Sequence, residues 1–138
     1  MVKLIIGKKG SGKTKKLIEL ANQAVLNSKG NVVVIEKGSK LTYDLTHKAR
    51  LVDAESYGIE GYDMLFGFIS GICAGNYDVT DLFIDSTFKI CGNNMSELEV
   101  FVKKLNTLES HASANIMLLI SADKSELPDL LEAEYVEI

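Results

Sequence analysis

Four apolar runs divide the chain, and each ends at a small, polar or charged residue. The runs are residues 2–6, 32–35, 82–84 and 116–120, and the residues that follow them are Gly7, Glu36, Asp85 and Ser121. Continuous β-branched and aliphatic runs are typical of parallel strands that are buried on both faces. Because open α/β sheets bind ligands beyond the carboxyl ends of their strands, we expect the four terminal residues to converge on one crevice.

Segments with helical periodicity separate these runs, and they predict three helices. They are residues 13–28, 62–74 and 96–110. A weaker fifth strand is expected at 51–54 and a short edge strand at 135–138, while Ser125 followed by Pro128 indicates a last short helix with the proline in its first turn. The order β-α-β-β-α-β-α-β predicts an α/β fold, namely a three-layer α/β/α sandwich with a mainly parallel five-stranded sheet.

Composition narrows the class of protein. With 138 residues and a hydrophobic content of 46%, the chain suits one minimal domain over residues 1–138. No apolar segment reaches the length needed to cross a bilayer, so we expect a cytoplasmic location and no membrane partner. Cys73 and Cys91 show no metal-ligand spacing and are expected to be reduced core thiols without chemistry.

A glycine-rich segment between the first run and the first helix carries the strongest chemical signal. Its residues match the pattern G-x-x-x-x-G-K-[ST] at every fixed position: Gly7, Lys8, Lys9, Gly10, Ser11, Gly12, Lys13 and Thr14. The glycines let backbone N–H groups and a helix N-terminus surround a polyphosphate. Lys13 is expected to hold the β- and γ-phosphates, and the Thr14 hydroxyl to ligate Mg²⁺, which predicts binding of a nucleoside triphosphate, ATP in particular.

Asp85 closes the run Leu82-Phe83-Ile84 and resembles the second nucleotide-binding motif of P-loop NTPases. In that family the aspartate binds Mg²⁺ through its water shell, so the resemblance implies a metal-side role for Asp85 together with Thr14. Asp53, which ends a weaker apolar run, is the alternative carboxylate. Many P-loop ATPases place a catalytic glutamate directly after the aspartate, and this chain has Ser86 there.

Glu36 is the predicted catalytic carboxylate. It ends the strand after the first helix, where RecA-like and replicative-helicase ATPases carry their catalytic glutamate, and it would position or deprotonate the attacking water. The alternative is a solvated carboxylate paired with Lys37 or another lysine. Ser121 follows the strand after Asp85, where related ATPases carry a sensor of the γ-phosphate, although serine is also common at strand ends.

The chain as a whole resembles the RecA/AAA-like division of P-loop NTPases, and a guanine-reading N-K-x-D string is missing. It is also similar to short bacterial ATP-binding proteins that are loosely labelled twitching-motility ATPase-like, although the resemblance does not carry a motility role. These resemblances imply a RecA-like core and slow Mg²⁺-dependent hydrolysis of ATP. The alternatives are a nucleotide-gated binding module with little turnover and, more weakly, a small-molecule kinase. Kinases often bind a second phosphorylated substrate with several arginines, and this chain has only Arg50.

Charge and glycine patterns raise the question of partners. Residues 1–50 hold 11 Lys and Arg against 3 Asp and Glu, whereas residues 51–138 hold 4 against 16. The simplest interpretation is a solvated surface on which neighbouring opposite charges screen one another. The alternative is a protein or nucleic-acid partner at the basic loop 37–50, which contains His47. No motif supports nucleic acid. Arg50 is either an arginine finger or an exposed loop residue. Glycines spaced four apart at 67, 71 and 75 predict close packing within the molecule or a homo-oligomer or protein contact through residues 62–75.

Overall fold

The computed structural model describes all residues from Met1 to Ile138 and contains six strands and four helices. In chain order these are β1 (Lys3–Ile6), α1 (Lys13–Asn27), β2 (Asn31–Glu36), β3 (Arg50–Asp53), α2 (Tyr62–Gly75), β4 (Val79–Ile84), α3 (Thr87–Cys91), α4 (Met95–Ala112), β5 (Asn115–Ile120) and β6 (Glu134–Glu137). Single 3₁₀ turns lie at Ala54–Tyr57 and Lys124–Glu126.

The strands form one sheet in the order β3-β2-β4-β5-β1-β6, and every neighbouring pair is parallel. The prediction of five strands was one short, because both weak segments are strands. β6 adds to the free side of β1, with Lys3 opposite Glu134 and Ile6 opposite Glu137. Its signal in the sequence is weak because a four-residue edge strand with Glu at each end contains only two apolar positions.

Helices cover both faces of the sheet, which confirms the α/β class. On one face α2 and α4 bury Leu65, Ile69 and Phe101 against the strands. On the opposite face α1 buries Leu17 and Ala21. Strands between two such layers are apolar on both sides, which explains their continuous hydrophobic runs.

The basic segment 37–49 takes the place of a crossover helix between β2 and β3. Leu41, Leu45 and Ala49 are buried beside α1 and lie four residues apart, so the segment presents one apolar side to the sheet as a helix would. Its polar residues face outward, and Tyr43 is 95% exposed. The predicted basic loop is therefore a packed layer whose charged side chains remain on the surface.

The remaining helices agree with the sequence within two residues, with two exceptions. The short helix α3 was not predicted. The expected last helix is only the turn Lys124–Glu126, which Asp123 caps, and Pro128 follows this turn instead of beginning it. None of the helices is both long and apolar enough to span a bilayer.

The glycines of α2 do not pack inside the molecule, so that expectation is wrong. Gly67, Gly71 and Gly75 are exposed, and a Cβ added to any of them would meet no atom within 4 Å. α2 packs through the opposite side, where Leu65 and Ile69 are fully buried. The two cysteines are free, and burial raises the pKa of both thiols, that of Cys91 to about 12.

Candidate functional site

The glycine-rich loop connects β1 to α1 and has a compact backbone. Gly10 and Gly12 adopt φ values of +81° and +95°, which L side chains rarely tolerate. A Cβ on Gly7 would lie 2.6 Å from the Ser11 hydroxyl, so a larger residue here requires that side chain to move. The Gly7 N–H donates to the Ala122 carbonyl at 3.0 Å, which ties the loop to the segment that follows β5.

Lys13 is the first residue of α1, and its side chain turns back into the loop. It is only 5% exposed, and its ammonium donates to the Lys8 carbonyl at 2.7 Å and to the Ser11 hydroxyl at 3.4 Å. Burial lowers the pKa of Lys13, and the nearby Asp85 carboxylate opposes that shift. The loop therefore encloses a buried cation at the N-terminus of a helix, where anions bind favourably.

Thr14 and Asp85 meet beside this lysine. The Thr14 hydroxyl donates to Asp85 Oδ1 at 3.3 Å, and the Ser86 hydroxyl donates to Asp85 Oδ2 at 3.0 Å. Asp85 follows β4 and is 8% exposed. Mg²⁺ prefers oxygen ligands and binds through one or two carboxylates together with phosphates, so this hydroxyl and carboxylate fit that ion without a larger acidic cluster.

A cavity of about 610 Å³ opens over the loop. Lys9, Lys13, Lys15 and Lys89 line it, and Asp85 is its only carboxylate. Its volume lies in the range of small-molecule sites, and its excess of positive charge favours a polyanionic ligand.

The cavity brings together many of the residues predicted from the sequence. Those that line it are Lys9, Gly10, Gly12, Lys13, Thr14, Asp85 and Ser121, and those that do not are Gly7, Lys8, Ser11 and Glu36. Ser121 arrives from β5, which lies between β1 and β4 in the sheet. Neighbouring strand ends thus bring the loop, the serine and the aspartate to one place. The predicted convergence of four residues holds in the cavity lining for Asp85 and Ser121 but not for Gly7 or Glu36.

The wall opposite the loop was missed by the sequence reasoning. It consists of Ser86, the start of α3 with Thr87 and Lys89, and the turn after that helix with Asn93. Ser86 adopts φ 60° and ψ 30°, a left-handed conformation that is unusual for a residue with a side chain. Such strain often clusters at functional sites. The signal that could have predicted this wall is the group of polar residues that follows the Asp85 strand in the sequence.

Glu36 lies next to Asp85 but faces a different structure. It is 1% exposed, and its two carboxylate oxygens accept the backbone N–H groups of Lys40 and Leu41 at 3.2 and 3.0 Å. Burial raises the pKa of Glu36, the Leu41 N–H opposes this, and the charge of Asp85 adds to it. In this structure, Glu36 anchors the start of the basic segment, and it makes no ion pair with Lys37.

Asp53 and Arg50 lie away from the cavity. The Asp53 carboxylate accepts the N–H groups of Gly38 and Glu55, at 2.7 and 3.0 Å, and the hydroxyl of Ser56 at 2.9 Å. The Gly38 contact is the main reason that its pKa is lowered. Asp53 thus caps a turn, and Asp85 is the carboxylate beside the loop. Arg50 begins β3, so it lies at the amino end of the sheet and cannot act on the cavity of its own subunit.

No protein-family model matches this chain, and no curated protein matches it either.

Proposed function

We propose that this chain binds a nucleoside triphosphate together with Mg²⁺ at the glycine-rich loop, in the manner of P-loop NTPases, and hydrolyses it slowly. The observation that carries the proposal is the buried Lys13 ammonium beside the Thr14–Asp85 contact, inside a cavity lined by four lysines. A cytoplasmic location, as the sequence predicts, fits ATP as the ligand.

The residues divide the work by chemistry. The loop N–H groups and Lys13 would bind the phosphate oxygens, because both offer donors and positive charge at a helix N-terminus. Thr14 and Asp85 would hold Mg²⁺, which neutralises charge on the phosphates when bound. Ser121, exposed in the same cavity, would donate to the terminal phosphate and report its presence.

Hydrolysis also requires a group that orients or deprotonates water. Glu36 is the buried carboxylate on the strand next to Asp85, and burial raises its pKa toward the range of a useful general base. Each oxygen already accepts one N–H, and an ionised carboxylate has about four acceptor positions, so capacity remains for a water. Its position outside the cavity lining favours slow turnover in the isolated protein.

A nucleotide-gated binding module is the second candidate, and one set of contacts favours it. Glu36 anchors Lys40 and Leu41 of the basic segment, and the Lys37 ammonium donates to the Lys89 carbonyl of α3 at 3.3 Å. The basic segment therefore contacts one residue of the cavity lining, Lys89, and is held at its start by Glu36, the neighbour of Asp85. A nucleotide that rearranged either contact would alter the surface that this segment presents to a partner.

The deciding experiment measures ATP affinity and phosphate release on the parent, Lys13→Ala, Glu36→Gln and the control Lys16→Ala. Lys16 is a lysine of the same helix turn that does not line the cavity. We expect Lys13→Ala to lose at least about 100-fold in affinity, consistent with losing several charge-assisted contacts, and Lys16→Ala to match the parent.

The two candidates differ in the Glu36→Gln result. If the parent releases phosphate and this variant binds ATP without releasing any, the chain is an ATPase with Glu36 as its base. If the parent binds ATP and neither protein releases phosphate, the gating module stands. Parent-like ATP binding by Lys13→Ala would overturn both.

A further inference from the structure

A second cavity lies near the amino ends of the strands, away from the glycine-rich loop, and we name it the edge cavity. Its volume is about 460 Å³, and it lies between the start of the edge strand β3 and the C-terminal half of α2. Its apolar lining includes Val52 of β3, Tyr57 of the 3₁₀ turn that follows this strand, and Phe68 and Ile72 of α2.

The charged groups of the edge cavity are all positive. Lys48 and Arg50 line it, and no Asp or Glu does. The ion pairs of the molecule involve other residues, and neither side chain donates a hydrogen bond. Two unpaired cations around an acid-free cavity favour an anionic ligand.

Aromatic and glycine residues provide the rest of the surface. The rings of Tyr57 and Phe68 stack with centroids 6.1 Å apart and an interplanar angle of 28°. Gly71 and Gly75 lie beside them, and the absence of a Cβ leaves that side of α2 open. A flat apolar surface next to aromatic rings suits a planar ring of a ligand.

A cavity of nearly the same size between α2 and α4 offers a natural comparison, and we name it the helix cavity. Its volume is about 470 Å³, and Glu60, Asp63 and Glu97 line it. Its one cation, Lys104, lies 3.9 Å from Asp63. The two cavities are alike in size and partly apolar, so the sign of their charge distinguishes what they can bind.

We propose that the edge cavity binds a small planar aromatic anion. The ring would lie against Tyr57 and Phe68 over Gly71, and its carboxylate, sulfonate or phosphate group would bind Lys48 and Arg50. The planar guanidinium of Arg50 offers paired donors that match such an oxyanion. This site lies at the other end of the strands from the glycine-rich loop, so it is independent of nucleotide binding.

The first test uses naphthalene sulfonate as the probe and follows backbone amide signals by NMR. We expect saturable shifts at Arg50, Gly71 and Asn76, and a roughly tenfold weaker affinity in Arg50→Gln, the loss typical of one charge-assisted hydrogen bond. Naphthylmethylammonium, the cationic counterpart, should leave these signals unchanged. Shifts confined to the glycine-rich loop, no shifts, or equal binding of both probes would overturn the proposal.

The second test fills the cavity without endangering the fold. Gly71→Leu places a side chain in the edge cavity, and Gly67→Leu places the same side chain one turn earlier on α2, outside both cavities. Both positions are open, so both variants should keep or raise the unfolding temperature. Gly71→Leu should abolish binding of naphthalene sulfonate and Gly67→Leu should preserve it. Equal affinity in the two variants would refute the site.

Discussion

Two buried carboxylates end neighbouring strands of the sheet, and their surroundings differ. Asp85 is held by the hydroxyls of Thr14 and Ser86 and faces the lysine-lined cavity. Glu36 accepts backbone N–H groups of Lys40 and Leu41 and faces the basic segment. In the sequence the two residues look the same, since each follows a run of β-branched and aliphatic residues.

The difference shows that a place at a strand end determines where a carboxylate lies but not which groups it contacts. The hydroxyls that donate to Asp85 belong to side chains at the edge of a cavity, so they can rotate from the carboxylate toward a metal ion. The N–H groups that donate to Glu36 belong to a backbone turn, and buried backbone N–H groups need a hydrogen-bond acceptor. Asp85 is therefore available to a ligand, whereas Glu36 is first a structural anchor.

The largest expected effect separates the two residues by their metal dependence. Asp85→Asn keeps the shape of the side chain but removes the charge that would hold Mg²⁺. In Mg²⁺ we expect a roughly 100-fold loss of ATP affinity, equivalent to about 2.7 kcal/mol. In EDTA we expect little loss. Titration calorimetry in both buffers measures this. An equal loss in EDTA would show that Asp85 acts without metal.

Glu36→Ala should instead reduce stability. It leaves the Leu41 N–H without its acceptor in the interior, which costs about 1–3 kcal/mol in the free energy of unfolding. Glu36→Gln retains one acceptor oxygen and should lose about half as much. Urea unfolding compares them. If both variants were as stable as the parent, the anchoring role of Glu36 would be wrong.

A smaller effect tests the segment without touching either carboxylate. The Asn22 amide of α1 donates to the Asp44 carbonyl at 3.2 Å and accepts the Thr46 N–H at 2.9 Å. Asn22→Ala should cost about 1 kcal/mol of stability and leave ATP affinity unchanged. The exposed neighbour Gln23, changed to Ala, is the control. A drop in ATP affinity with Asn22→Ala alone would show that the segment and the cavity are coupled, as the gating candidate requires.

The smallest effect is a pH dependence of opposite sign at two paired positions. Burial raises the pKa of Glu36 from its ordinary 4.5, so its stabilising contribution is full below that value and is lost as the pH rises through the folded pKa. The Gly38 N–H lowers the pKa of Asp53 from 3.8, so its contribution is present above that value and is lost as the pH falls through the folded pKa.

Unfolding between about pH 3 and about pH 7 checks these signs against Glu36→Gln and Asp53→Asn, whose side chains do not titrate in this range. Relative to its variant, the parent should lose stability toward high pH at Glu36 and toward low pH at Asp53. Two trends of the same sign would contradict the assigned environments.

The main strands could be predicted because strands buried on both faces require long apolar runs, as in residues 32–35 and 116–120. β6 was weak because an edge strand needs fewer buried side chains. α3 was missed since a helix of five residues shows no periodicity. The packing of segment 37–49 depends on three apolar residues in a polar, turn-rich stretch, where tertiary contacts decide the outcome.

The positions of the candidate site residues could be predicted where a local motif determines geometry, and their contacts could not be predicted where distant backbone determines them. The glycine-rich loop joins adjacent residues, so Lys13 and Thr14 could be placed from spacing alone, and Asp85 followed from parallel strand order. The partners of Glu36 are N–H groups of a turn that the pattern does not describe. The left-handed conformation of Ser86 is likewise invisible, because serine has no preference for it.

The position of β1 has a consequence for how the protein is made. β1 lies between β5 and β6, so its partners are residues 115–120 and 134–137, and no hairpin supplies an earlier one. β2 and β3 can pair much sooner, since Val33 aligns with Arg50. During synthesis the glycine-rich loop follows a strand that stays unpaired until the residues of β5 have been made. Pairings this remote also slow folding in general, so the backbone around that loop should become ordered later than the β2–β3 pair.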